Sequence, residues 1–289
     1  MIPPSFDYHA PKTLPEALEL LGRFGGEAKV LSGGQSLLPL LKLRLAEPGH
    51  LVDIGRIPGL DYIEEEGGFL RIGALVREAG LEASPLVRSK YPILVDTASV
   101  IADPLVRNMA TVAGNLAHGD PANDHPATML ALGAEVVATG PKGTRTIPVA
   151  QLFTGIFTTA LAPAEVLTEI RIPVPPAGSG GAYVKLERKV GDFATAGAAA
   201  FLVLQGGVIA RAGVGLTNVG PTPIKAVDAE KALAGKKPDE AAFAEAGRLA
   251  AAMTSPGADR RGSVEYKKQM ARVLTIRALR IAARRAGGK

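Results

Sequence analysis

Apolar residues recur along this chain with two periods, and the places where the period changes divide it into elements. Phe6-Asp7-Tyr8-His9 reads as a short extended run. A helix follows, with Thr13 placed to cap it, Pro15 and Glu16 in its first turn, and Leu14, Leu18 and Leu21 at helical spacing. Gly25-Gly26 ends that helix. Lys29-Val30-Leu31 and residues 51–54 read as buried strands, and the apolar residues 37–45 between them as a second helix. Strand, helix, strand, helix, strand is a small βαβ-type unit.

From about residue 56 a second unit begins. Phe69-Leu70-Arg71-Ile72-Gly73 predicts a strand, residues 95–102 a helix and residues 126–132 a short helix. Residues 134–139 and 144–149 predict a hairpin around Gly140-Pro141-Lys142-Gly143. Residues 166–172 alternate apolar and polar, which predicts a half-buried strand. The run Pro173-Val174-Pro175-Pro176-Ala177-Gly178-Ser179-Gly180-Gly181 breaks every regular pattern and marks a boundary. Beyond it, residues 183–188, 198–204 and 208–216 predict three antiparallel strands, with a tight turn at Gln205-Gly206-Gly207. Ala-rich amphipathic patterns at 226–234, 240–253 and 263–285 predict helices. The expected fold class is therefore mixed α/β and α+β. Two N-terminal α/β subdomains, residues 1–55 and 56–177, precede a C-terminal antiparallel-sheet and helix domain, residues 178–289.

Composition narrows the chemistry. At 289 residues, with 47% hydrophobic and 21% charged residues, the chain has ample material for a folded core. The net charge of +5 is modest, and much of it sits near the end, at Arg272, Arg277, Arg280, Arg284, Arg285 and Lys289. That tail helix is expected to be solvated or to face a partner. Aromatic residues are 4% with no Trp, too few for base-stacking platforms, so a nucleic-acid partner is not expected. There is no Cys, which excludes disulfides, thiolate zinc sites, cysteine nucleophiles and any iron–sulfur cluster held by this chain's own thiolates. No apolar run reaches membrane-spanning length, and Met1-Ile2-Pro3-Pro4-Ser5 lacks a basic-then-apolar leader pattern. A cytoplasmic protein is expected.

The most informative stretch is Leu31-Ser32-Gly33-Gly34-Gln35-Ser36-Leu37-Leu38-Pro39. Two glycines let the backbone turn sharply and bring bare N–H groups to a ligand, and such a turn favours anions. A second stretch, Thr111-Val112-Ala113-Gly114-Asn115, leads into Leu116-Ala117-His118-Gly119-Asp120-Pro121-Ala122-Asn123-Asp124. Alone it reads equally as a structural loop. Together, the two turns can grip one extended ligand, and the Ser36 and Thr111 hydroxyls with the Gln35 and Asn115 amides suit a pyrophosphate. Asp124 can accept from sugar or ribityl hydroxyls. Neither of the commoner nucleotide signatures competes: no Walker sequence is present, and Gly213-Val214-Gly215-Leu216-Thr217-Asn218-Val219-Gly220 misplaces the third glycine of a dinucleotide fingerprint. It reads better as a strand leaving a sheet through a turn. His118 and His125 with Asp120 and Asp124 leave a metal site open.

Ser-Gly-Gly-Gln-Ser-Leu-Leu-Pro, Thr-Val-Ala-Gly-Asn-Leu-Ala-His and Gly191-Asp192-Phe193-Ala194-Thr195-Ala196 occur in that order, with Arg261-Gly262-Ser263-Val264-Glu265-Tyr266-Lys267-Lys268 in the tail. In this the chain resembles the FAD-binding medium subunit of molybdenum hydroxylases, above all that of aerobic carbon monoxide dehydrogenases, and it is similar to the flavin domain of xanthine dehydrogenases. The resemblance covers nearly the whole chain and implies a bipartite FAD-binding domain. Ser32, Gly33, Gly34, Gln35, Ser36 and Leu37 would meet the FAD pyrophosphate from one side, and Thr111, Val112, Ala113, Gly114 and Asn115 from the other. Asp124 would meet ribityl or neighbouring hydroxyls, Ile101 would pack near the flavin ring, and Leu167 would line the cofactor. Lys185 would approach the ring's polar edge, where a cation stabilises the reduced anionic flavin and raises its potential; without the resemblance it reads as a solvated strand lysine. Asp192 and Phe193 would lie on a loop over the flavin's open face. Ala113 stands where the family commonly has glycine, and Phe193 where relatives can carry tyrosine, so any hydrogen bond from that hydroxyl is absent here.

The resemblance also implies an oxidoreductase subunit with no catalytic residue and no metal of its own. A large subunit would carry the molybdopterin cofactor and a small one 2Fe–2S clusters, in a dimer of heterotrimers. Electrons would reach FAD and leave to quinone, NAD or oxygen, in a complex that is cytoplasmic or membrane-associated but not membrane-spanning. A free-standing FAD oxidoreductase of related fold and a basic partner-binding module are the rival expectations. Valine at Gly33 or Gly114 is expected to unload flavin and leave the fold intact.

Overall fold

The structure is a computed structural model, and it describes residues 2–287; Lys289 of the basic tail lies outside them. The first unit contains β1 (Asp7–His9), α1 (Leu14–Phe24), β2 (Ala28–Leu31), α2 (Leu37–Lys42) and β3 (His50–Asp53). Its three strands are parallel, in the order β1-β3-β2, with Tyr8 opposite Leu51 and Val30 opposite Val52. The Thr13 side chain accepts the Glu16 N–H at 3.3 Å and so starts α1, which turns Ala17 and Leu21 inward onto the sheet. α2 stops three residues short of the expected 45. Leu45 N–H donates to the Leu40 carbonyl at 2.9 Å and Arg44 N–H to Leu41 at 3.1 Å, with Arg44 at φ 56°. This six-to-one closure ends a helix with a left-handed residue, here arginine rather than glycine.

The second unit adds β4 (Ile63–Glu66), β5 (Phe69–Gly73), α3 (Glu78–Ala83), α4 (Pro85–Lys90), α5 (Pro92–Ser99), α6 (Pro104–Arg107), α7 (Val112–His118), α8 (His125–Leu132), β6 (Glu135–Gly140), β7 (Gly143–Pro148), the short pair β8 (Phe153–Gly155) and β9 (Thr158–Thr159), and β10 (Val166–Pro173). Its five-stranded sheet runs β4-β5-β10-β6-β7 and is antiparallel throughout. β10 is the middle strand, so it is not half-buried as its alternation predicts: Val166, Leu167, Thr168, Glu169 and Ile170 are all buried. Glu169 is tolerated there because Arg71 Nε donates to it at 2.7 Å, and Tyr62 and Arg171 donate as well. The expected helix over 95–102 begins earlier, at Pro92, and ends at Ser99; Ala102 has already left it, at φ 44°.

The third unit contains β11 (Ser179–Leu186), β12 (Ala196–Gln205), β13 (Val208–Thr217), β14 (Ile224–Lys225), α9 (Val227–Leu233), α10 (Glu240–Ala252) and α11 (Val264–Ala286). The four strands form one antiparallel sheet in sequence order. α11 lies directly on it: a Cβ at Gly180 would sit 2.2 Å from the Ala282 carbonyl oxygen. α8 packs from the second unit, and every residue of α8 is buried. Gly213 and Gly215 of β13 let it in, since a Cβ at either would fall 1.9 Å from the Ala131 carbonyl oxygen or 2.0 Å from that of Ala127. Gly213 and Gly215 therefore serve backbone packing inside a strand, and after Thr217 the chain leaves the sheet through a bend at Asn218 to Gly220, as expected. In the basic tail, Arg272, Arg277, Arg280 and Arg284 are exposed as expected, and Arg285 is the exception. Arg285 turns inward, pairing with Asp96 at 2.5 and 3.0 Å and donating to the Gly181 carbonyl at 2.6 Å, while Arg280 pairs with Glu240.

Candidate functional site

The two glycine turns are pressed against each other. The first follows β2, and the second begins at Thr111 and forms the first turn of α7, which the Thr111 hydroxyl caps by accepting the Gly114 N–H at 3.2 Å. Ser32 Oγ and Thr111 Oγ1 lie 3.1 Å apart. Gly33 faces the second turn so closely that a Cβ would sit 2.2 Å from the Met109 carbonyl oxygen and 2.9 Å from the Thr111 nitrogen. Gly34 has φ 75°, a conformation that L side chains rarely adopt. Valine at Gly33 would therefore strike backbone and disturb the fold, contrary to the expectation that it would only unload a ligand. A Cβ at Gly114 would meet only the Thr111 hydroxyl, at 2.7 Å, so that position remains a local probe.

The joined turns form one wall of a crevice of about 510 Å³. Ser32 to Leu37, Thr111, Ala113, Gly114, Asn115 and Leu167 all line it. Val112 is fully buried in the core and does not. Ser36 precedes α2 without a side-chain cap bond, and Asn115 Oδ1 is buried with no partner, so both have hydrogen-bonding capacity directed at neither helix nor core. Lys29 and Phe157, which the sequence pattern does not mark, line the crevice together with His118, and the His118 and Phe157 ring centroids lie 5.1 Å apart. Phe157 sits at φ 53° on the β8–β9 connection and is exposed. Nothing in its local pattern marks it; only the close approach of Gly119 to Phe157 and Thr158 brings it to the crevice. Burial holds the His118 pKa below the usual histidine value, with nearby Asp120 opposing.

Ile101, Asp124, Lys185, Asp192 and Phe193 stand outside that crevice, in a second group. Lys185 projects from β11 and is 3% exposed, not a solvated lysine. Its ammonium donates to the Val100 carbonyl at 2.8 Å and lies 3.0 Å from Asp124 Oδ2 and 3.3 Å from Glu187 Oε2. Two of these contacts are hydrogen bonds and the third, to Glu187, is an ion pair. Asp124 also accepts the Tyr183 hydroxyl at 2.5 Å. Burial raises the Asp124 pKa, and the Lys185 cation and the Tyr183 hydroxyl oppose that rise. The Tyr183 hydroxyl is pushed well up by burial and by the Asp124 charge. Ile101 is buried beside Val100.

The two histidines do not converge. His125 is fully buried, with Nε2 2.7 Å from Glu78 Oε2, whereas His118 faces Phe157. Asp120 accepts the Ala122 N–H at 2.8 Å. Among the described residues, no group of three His, Cys, Asp or Glu side chains is arranged to hold a metal. No helix among them is long and apolar enough to cross a membrane.

Known proteins share this arrangement. The family described as the FAD binding domain in molybdopterin dehydrogenase matches residues 4–175, and the CO dehydrogenase flavoprotein C-terminal domain matches residues 181–282. The carbon monoxide dehydrogenase medium chain of Afipia carboxidovorans is 48% identical over 286 residues, which is 99% of each chain. The 6-hydroxypseudooxynicotine dehydrogenase complex subunit alpha of Paenarthrobacter nicotinovorans is 38% identical over 99% of this chain and 97% of its own. Among solved structures, reconstituted CO dehydrogenase from Oligotropha carboxidovorans superposes with a TM-score of 0.97 at 48% identity, covering 99% of this chain and 100% of the other. Quinoline 2-oxidoreductase from Pseudomonas putida 86 superposes at 0.92 with 34% identity, covering 99% of both.

Proposed function

The chain belongs to the family of FAD-binding medium subunits of molybdenum hydroxylases, and from that premise we propose that it carries FAD in an oxidoreductase complex of the carbon monoxide dehydrogenase type. One observation carries this reading: Ser32 and Thr111 bring two glycine turns together at the head of a crevice that Asn115 also lines. Backbone N–H groups, hydroxyls and an amide form a neutral donor set that fits a pyrophosphate, and the apolar Leu37 and Leu167 fit a ring system beside it. α2 has only six residues and α7 seven, so the turns' own N–H groups and hydroxyls bear the charge recognition rather than a long helix dipole.

When bound, FAD supplies the carriage of electrons in ones and twos. The chain's residues hold and orient it. Ser32 to Ser36, with Thr111, Ala113, Gly114 and Asn115, would hold the pyrophosphate. Asp124 offers its remaining lone pairs to hydroxyls while Tyr183 and Lys185 fix its plane. Lys185 donates to Asp124 and is flanked by a second carboxylate, Glu187, so its charge is offset locally and its part is to orient Asp124. The loop bearing Asp192 and Phe193 keeps water from the open face.

The medium-chain relatives at 46–48% identity belong to carbon monoxide dehydrogenases, which supports carbon monoxide as the substrate of the complex, oxidised on another chain. A small 2Fe–2S subunit and a large molybdopterin subunit complete the proposed assembly, a dimer of heterotrimers that passes electrons to quinone, NAD or oxygen. Co-expression with those subunits tests the reading. The expected result is a co-purifying complex with flavin absorbance that bleaches under carbon monoxide. A colourless complex, or a lone chain that turns over an organic substrate, overturns it.

A further inference from the structure

The tail segment Arg261 to Lys268 takes no part in the crevice, yet it reaches the loop that bears Phe193. Asp259 and Gly262 exchange backbone hydrogen bonds at 3.1 and 3.2 Å, which closes a tight turn. Lys267, buried in the first turn of α11, grips that turn from below: its Nζ donates to the Gly257 carbonyl at 2.9 Å and lies 2.8 Å from Asp259 Oδ2. Asp259 Oδ1 in turn accepts the Arg261 N–H at 2.8 Å. Arg261 thus stands on a braced base. From it, Nη2 crosses 69 positions of sequence to Asp192 Oδ1 at 3.1 Å. The same oxygen accepts the backbone N–H of Phe193, also at 3.1 Å.

The rest of the loop is tied at its ends. Thr195 N–H donates to the Leu186 carbonyl at 2.7 Å, and Gly191, at φ 83°, rests against the Ala102 carbonyl with no room for a Cβ. The Phe193 ring is 51% exposed, so packing does not fix it and the hold on its backbone does. Arg188 also approaches Asp192, at 3.5 Å, but it is solvent-exposed and touches the other carboxylate oxygen.

The geometry points to Arg261 as a positioning residue: through Asp192 it sets where Phe193 stands, and so how closely the loop covers bound flavin. The second half rests on the function proposed above. The full-length chain tests the two halves separately. Without cofactor, Arg261→Ala is expected to raise hydrogen exchange at the Phe193 amide about three- to fivefold, the factor that one partly exposed ion pair supports. Arg261→Lys should restore most of the protection, and Arg188→Ala should leave it near that of the natural chain. Exchange unchanged in Arg261→Ala overturns the latch. In the FAD-loaded chain, the same substitution should increase iodide quenching of flavin fluorescence at equal flavin content. Quenching unchanged while exchange responds overturns the covering role. A chain that never takes up FAD but still shows the exchange response supports the latch and counts against the proposed function alone.

Discussion

Lys185 illustrates how much one residue's environment decides. Its ammonium is buried between Asp124 and Glu187, so replacing it with methionine leaves the buried Asp124 and the half-buried Glu187 without their cation. Removing one partner of a buried pair costs about 3–5 kcal/mol. Lys185→Met is therefore expected to lower the melting temperature sharply, and adding Asp124→Asn should recover a substantial part of the loss; thermal unfolding of both variants checks this. The glycines divide in the same way. Gly114→Ala should keep the circular dichroism of the natural chain while weakening FAD uptake, because its methyl meets only the Thr111 hydroxyl. Gly33→Ala should lose flavin and stability together, because its methyl meets the backbone of the second turn. The local pattern identified both glycines but could not rank them, since the clash at Gly33 comes from residues more than seventy positions away. Lys185 was illegible for a related reason: a lysine on a strand looks wet until the partners from α8 and β11 are in place.

Among the elements, continuous apolar runs and capped helices were legible, the fully buried α8 and β12 included, and the charged edge strand was not. α1 and α11 announce themselves through Thr13 and Ser263, whose hydroxyls accept the N–H groups of Glu16 and Tyr266. β4 passed unnoticed because Glu64, Glu65 and Glu66 read as loop, although charge is how an edge strand avoids pairing with another chain. β10 looked half-wet because Glu169 falls among apolar residues, and only Arg71 and Tyr62 from neighbouring segments explain its burial. Phe157, on the crevice wall, had no pattern to read. α8 has no polar face, so its register against β13 rests on Gly213 and Gly215. A valine at either should destabilise the chain by about 1–3 kcal/mol or more, the range for forcing extra volume into a packed core. A urea titration of Gly215→Val would detect this as a lower midpoint.

On the scale of the whole molecule, paired carboxylates set the acid limit. Burial pushes Glu169 up, but Arg71, Tyr62 and Arg171 outweigh it and hold it below the ordinary range. Arg145 holds Glu165 down, and Lys267 holds Asp259 down. Each binds its proton less readily folded than unfolded. Their stabilisation is complete above the unfolded value, about 4–4.5, and is lost as pH falls through the folded values. Asp124 has the opposite sign: its raised pKa makes ionisation costly as pH rises. The urea midpoint is therefore expected to fall steeply below about pH 4.5, and Arg71→Met should flatten that fall by removing Glu169's main cation.

The seam at α8 has an evolutionary consequence. The helix belongs by sequence to the part that holds the two glycine turns, yet the strand it rests on belongs to the other. Relatives that exchanged halves by recombination would have to bring the small residues at 127 and 131 together with the glycines at 213 and 215. A chimera joined near residue 177 is thus expected to fold only when both parents carry the same seam.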